Sequence, residues 1–198
     1  MARIRHTKNE LKKQRDALKR YNRYLPTLLL KKQQLRLELV RIHQVMEEIK
    51  QEKAYIKALV YKWADVFTEK TEIEKMVQLR QVVTSIGNIA GVDVPVFTEI
   101  MFEETMYDFM KTPLWVDYAI KIVKKVITLN AKMEILKRQE SSIREELRIT
   151  TQRVNLFEKV MIPQGRENIR KIQISLGDMQ TAAVVTGKIA KEKILRNS

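Results

Sequence analysis

The chain has 198 residues with a net charge of +14, no cysteine, five glycines, four prolines and 7% aromatic residues. Disulfides and cysteine-ligated metals are excluded. An all-β fold is disfavoured because it needs many turns, and 44% hydrophobic content argues against wholesale disorder. No apolar run approaches the ~20 residues that span a bilayer. The basic start, "MARIRHTKNELKKQRDALKR", lacks the apolar core of a secretory signal, so a soluble cytoplasmic protein is expected.

The first predicted element is a long N-terminal helix over residues 1–84. From Leu35 its apolar positions step by four and three through Leu39, Ile42, Met46, Ile49, Ile56, Val60, Trp63 and Phe67, with Lys53 as the one interruption. That is a heptad seam, the mark of a coiled coil. Upstream, Ile4, Leu11, Leu18 and Leu25 keep a seven-residue spacing in a thinner seam. Pro26 removes a backbone donor and clashes with the preceding turn, which predicts a kink near Asn22–Pro26 or a short separate N-terminal helix.

Residues 85–112 form a predicted tip. "VDVPVF" and "EIMF" are β-branched and aromatic, which suggests a short β-hairpin or a small apolar knob. Thr112 and Pro113 read as the N-cap and first position of the next helix.

A second long helix is predicted over residues 113–198. Its seam runs through Ala119, Ile122, Val126, Leu129, Met133, Leu136, Glu140, Ile143, Leu147, Thr150, Val154, Phe157 and Met161, then Gly165, Ile169, Ile172, Leu176, Met179 and Ala183. From Phe157 to Ile169 the steps are all four. That stutter, next to Pro163, predicts a bend and a local change of supercoil within one helix. The fold class expected is therefore all-α: a long antiparallel two-helix coiled-coil hairpin with a small central tip. At 1.5 Å per residue each arm would span ~120 Å.

Charge is polarised along this plan. Residues 1–41 hold thirteen Lys/Arg against three acids and residues 164–198 seven against three, while residues 84–118 hold one Lys against six acids. A chain folded back on itself would be basic at one pole, which calls for an acidic partner.

Catalytic chemistry finds no support. His6 and His43 each have one carboxylate four residues on, Glu10 and Glu47, without a further ligand, so they read as surface pairs rather than metal sites. "GNIAG" lacks the Lys-Ser/Thr of a phosphate-binding loop. Trp63, Phe67, Phe109, Trp115 and Tyr118 read as an aromatic cluster closing the coil against the tip. Tyr21 and Tyr24 beside Arg20 and Arg23 are the one hint of a nucleic-acid stacking platform. No catalytic residue, metal or cofactor is expected.

"TTQRVNLFEKVMIP" resembles the Thr-x-Arg-Val-Asn-x-x-Glu…Ile-Pro block of the D-subunit family of V/A-type rotary ATPases, in its bacterial branch. Arg153, Val154, Asn155, Glu158, Ile162 and Pro163 match it. Gln152 stands where the family usually has Arg, and Leu156-Phe157 where Ala-Leu is common. "LPTLLLKKQQLRLELVR" and "LGDMQTAAVVTGKIAKEK" are similar to the family's N- and C-terminal blocks. The resemblance implies a non-catalytic central rotor shaft. It would transmit torque between ATP synthesis or hydrolysis in a catalytic head and ion translocation in a membrane rotor. Its partners would be the head A and B subunits, a stalk F subunit and the cap of the rotor ring, placing it in the cytoplasm at the membrane, with no transmembrane segment and no direct nucleic-acid contact. On this reading Lys8, Lys12, Lys13 and Arg15 from one end, and Arg166, Arg170, Lys188 and Lys191 from the other, face acidic head loops. Arg153, Asn155 and Glu158 flank the seam as further partner contacts. Gly177, Ala182, Ala183, Gly187 and Ala190 would let two backbones approach closely in a slim shaft end. The competing class is a basic coiled-coil adaptor for nucleic acid or an anionic membrane.

Overall fold

The computed structural model describes residues 5–62, 76–103, 113 and 115–196. Its elements are helix α1 (Lys8–Lys62), strands β1 (Leu79–Ile89) and β2 (Val92–Phe102), helix α2 (Trp115–Leu156), a π-helical turn (Phe157–Met161) and helix α3 (Ile162–Arg196). The expected class holds: two long helical arms with a small antiparallel hairpin between them in sequence. Trp63, Phe67, Phe109 and Thr112 lie outside the described residues.

Helix α1 starts where its chemistry dictates. The Thr7 hydroxyl oxygen accepts the Glu10 backbone N–H at 3.2 Å, an N-cap three residues before a glutamate. Pro26 lies inside the helix, so the alternative of a separate N-terminal helix is wrong. The ring and Asn22 are both exposed, so water can replace the donor that the Asn22 carbonyl loses.

The chain divides into two compact units, Met1–Lys32 with Ile149–Ser198, and Gln33–Arg148. In the second unit the helices pair antiparallel: His43 meets Glu140 and Glu52 meets Lys125. The predicted seam is the core. Leu35, Ile42, Ile49 and Ile56 are buried on α1, facing Ile143, Met133 and Leu129 of α2. Each of these apolar side chains contributes about 1.5–3 kcal/mol when fully buried.

The hairpin does not sit as a cap on the helix ends. It lies back along its own unit, with Phe102 under the Lys124 ammonium, Phe97 under that of Lys132, the Pro95 carbonyl accepting from Gln139 Nε2 at 2.6 Å, and Val94 in the core beside Ile143. The first strand also begins earlier than expected, so residues 79–84, read as helix end, are β1. α2 consequently buries two faces. Beside the predicted seam, Val116, Ile120, Ile135 and Gln139 are buried, and Val116 and Ile120 pack with Val77, Phe102 and Trp115. Trp115 joins this apolar cluster. Of the aromatic partners expected for it, Trp63, Phe67 and Phe109 fall outside the described residues, and Tyr118 is 52% exposed and lies outside that core.

Ile89 pairs with Val92 across a two-residue turn whose central residues, Ala90 and Gly91, have φ of 51° and 78°. Both being positive matches the type I′ turn that suits the twist of a hairpin. Asn88 braces it, its Oδ1 accepting Gly91 N–H at 3.0 Å and its Nδ2 donating to Asp93 at 2.7 Å. Alanine is strained at such a φ and glycine is not. Ala90→Gly is expected to stabilise the second unit by roughly 1 kcal/mol, read as a raised urea midpoint; a lowered midpoint would show that the turn carries no strain.

In the first unit α1 again runs antiparallel to the C-terminal arm. Gln14 bonds Asn168, Leu18 lies against Gly165, and the Tyr21 and Phe157 rings stack with centroids 5.4 Å apart. Thr150, Val154, Ile162, Gly165 and Ile172 are buried. The stutter appears as the π-turn: Ile162 N–H donates to the Phe157 carbonyl, one residue further back than in an α-helix. The widened turn takes up the four-residue steps and delivers Pro163 into helix α3.

The C-terminal arm extends beyond this packed region. Every described residue from Gly177 to Arg196 is exposed, and nothing lies within 4 Å of where a side chain would start at Gly177 or Gly187. The small residues expected to admit a second backbone have none beside them among the described residues.

Candidate functional site

The partition of charge defines the surface of interest. The first unit holds twenty Lys/Arg against six Asp/Glu and the second eighteen against eighteen, so the whole net charge of +14 belongs to the first. Potentials of one sign over a surface recruit partners of the other sign and suppress wrong ones.

Lys8, Lys12, Lys13, Arg15, Arg166 and Arg170 are exposed, and the two groups come together because they bracket the Gln14–Asn168 hydrogen bond. None of the six makes an ion pair among the described residues, so their charge is available. Lys188 and Lys191 are equally exposed but sit on the outlying stretch of α3, apart from that group. Arg153, Asn155 and Glu158 are exposed at the π-turn; Arg153 projects from the opposite flank of Val154 to the other two.

The outlying stretch has an unusual distribution of apolar groups. At 3.6 residues per turn, Met179, Ala183, Ala190 and Ile194 line one face, Val185 and Ile189 a second, and Val184 and Leu195 a third. Met179, Val184, Val185, Ile189, Ile194 and Leu195 are 49–68% exposed. Asp178, Lys188, Lys191, Glu192, Lys193 and Arg196 are interspersed among these faces. The stretch therefore bares apolar side chains on three sides without being apolar throughout, whereas a surface helix ordinarily confines them to one stripe. The periodicity places Met179 and Ala183 on the seam; the three-sided apolar pattern is legible in the residues too, but only the absence of a partner helix beside it among the described residues makes it a surface.

In the second unit, among the described residues, an open cleft of ≈ 580 Å³ separates the hairpin turn from α1, walled by Gln34, Glu38, Arg41, Asn88 and Gln139 over Ile42 and Leu136. No group of three His, Asp or Glu is placed to hold a metal there or elsewhere among the described residues. His43 does not pair with Glu47. Its Nε2 donates to Glu140 Oε1 across the helix pair at 3.0 Å, and Arg144 also bonds that carboxylate. The His43 hydrogen bond, followed by the charge of Arg144, holds the Glu140 carboxyl below its usual range. A depressed carboxyl contributes stability above its unfolded pKa that is lost as pH falls through the folded one. Acid titration of the isolated chain is therefore expected to destabilise it more steeply than Glu140→Gln; superimposable acid limbs would dismiss the contribution.

Gln139 escaped the sequence reading. Its signal was a second 4-3-4 stripe beside the seam, Val116, Ile120, Val123 and Ile127, which continues to Ile135 and Gln139.

The chain matches the family model for the D subunit of ATP synthase over residues 10–192. It is 48% identical over 198 residues to the V-type ATP synthase D subunit of Borreliella burgdorferi, covering all of this chain and 98% of that one. It is 33% identical to the protein of the same name from Chlamydia pneumoniae (96% and 93% covered) and 31% identical to that from Chlamydia abortus (96% and 93%).

Proposed function

Because the chain belongs to the D-subunit family of ATP synthases, we propose that it is the non-catalytic central shaft of a V/A-type rotary ATPase, carrying torque between the nucleotide-processing head and the ion-translocating membrane rotor. The observation that carries this reading is the exposed stretch Gly177–Arg196, which bares apolar side chains on three sides among its charged residues. A groove would cover one face; only a partner that surrounds the helix satisfies all three. Six half-exposed apolar side chains contribute on the order of 1 kcal/mol each when covered, enough to hold the end centred without a specific lock.

The charge supports the same end as the one inside the head. Lys8, Lys12, Lys13, Arg15, Arg166, Arg170, Lys188 and Lys191 would face acidic loops of the A and B subunits, dispersed so that no single ion pair must break at each step; exposed pairs are worth ~1 kcal/mol or less. The neutral second unit would carry the F subunit and meet the rotor-ring cap. Catalysis would stay in the head, with the shaft cytoplasmic and peripheral to the membrane, binding no cofactor and no nucleic acid.

The test is recovery of tagged chain from native membranes. Co-purification with ring-forming ATPase subunits is expected. Tight, salt-steep binding to DNA or anionic liposomes without those subunits would support an adaptor instead.

A further inference from the structure

The π-turn takes the ordinary donors from two backbone acceptors on an exposed face. In a regular α-helix the carbonyls of Glu158 and Lys159 would accept from residues 162 and 163. Ile162 N–H is instead committed to the Phe157 carbonyl, and Pro163 has no N–H. Both carbonyls therefore lose their ordinary donors, on residues that are themselves exposed. One helical step away from Glu158, Asn155 presents its side-chain amide on the same flank, and neither side chain has a hydrogen-bond partner among the described residues. The turn is held in place from behind by the Tyr21–Phe157 stack and buried Val154 and Ile162.

We propose that this shoulder, formed by the Asn155 amide, the Glu158 carboxylate and the freed carbonyls of Glu158 and Lys159, receives an arginine side chain from the protein that surrounds the first unit. The inference rests on the shaft reading and deepens it by naming a register contact. A guanidinium fits because its planar fork carries five donors and can bridge a carboxylate, an amide oxygen and a main-chain carbonyl together; an ammonium has only three donors around a point. The site is an acceptor island in a unit holding twenty basic residues and six acids. Diffuse basic charge attracts an acidic wall without fixing its height, and an isolated acceptor cluster fixes it.

The experiment uses the assembled complex and the isolated full-length chain. Pro163→Ala restores an N–H that can return to the Lys159 carbonyl, and Glu158→Gln removes the charge. Pro163→Ala is expected to keep or raise the thermal midpoint of the isolated chain, while both variants leave the complex about ten-fold faster or more, equivalent to ~1.4 kcal/mol. Wild-type release by both variants, or a fall in the midpoint of Pro163→Ala that matches its faster release, overturns the inference. A photo-crosslinking residue at position 159, where only the backbone carbonyl belongs to the shoulder, is expected to capture an arginine-bearing segment of a neighbouring protein in the complex; a captured segment without arginine also overturns it. Failure of the wild-type chain to assemble with ring-forming subunits removes the shaft reading itself, whereas wild-type release of the variants from an assembled complex removes only this contact.

Discussion

Ile143→Ala is expected to destabilise the second unit by ~4 kcal/mol, the upper part of the range for a buried isoleucine truncated to alanine. Ile143 is 0% exposed and sits among Leu35, Ile42 and Val94. Its neighbours come from α1 and β2 while it belongs to α2, so no single shift can refill the space; the hairpin is pinned by Val94 and by Gln139 on the Pro95 carbonyl. Urea unfolding of the isolated chain reads the loss, and hydrogen exchange of β2 is expected to accelerate with it. A loss below ~1 kcal/mol would mean that the core collapses around the truncated side chain and that the hairpin is not keyed where Val94 meets Ile143.

Deleting residues 178–198 is expected to give the opposite combination. The exposed stretch contributes no buried core to its unit, so the unfolding midpoint should stay within the ~0.5 kcal/mol typical of surface changes. Only helical signal would fall, since a helix without tertiary contacts is marginal in water. On the proposed shaft reading, the same deletion in the assembled complex is expected to abolish coupling between nucleotide hydrolysis and ion movement, because the end proposed to be enclosed is gone. Proton or sodium pumping by reconstituted vesicles, measured beside ATP hydrolysis, reads the effect. Full pumping by the truncated complex would show that torque enters the chain elsewhere. On that reading the two changes separate the roles of the units: the first is expected to cost stability and the second to cost work.

Much of this was legible in the residues alone. The heptad seam from Leu35 to Ile56 and from Leu129 to Val154 is an intrinsic property of a 3.6-residue helix that must bury one stripe, so the arms could be read from its spacing and their antiparallel pairing from the short tip that joins them. The stutter from Phe157 to Ile169 announced a defect in that period, and the π-turn is the local geometry that absorbs it. The block around Arg153, Asn155 and Pro163 pointed to the family. The imbalance of charge between ends and middle needed only counting.

Tertiary structure decided the rest, and in each case because the deciding partner is distant along the chain. Whether the hairpin caps the helices or lies along them depends on Val94 reaching Ile143 and Pro95 reaching Gln139, contacts whose loop-closure cost and packing gain leave no local periodicity. His43 chose Glu140 over Glu47 because the facing helix placed the carboxylate within 3.0 Å, whereas sequence spacing offers only same-helix partners. The seam after Ile172 is written in the residues as if it continued, yet no second helix accompanies it beyond Gly177 among the described residues. Periodicity states which face of a helix is apolar; only the packed chain states what, if anything, covers it.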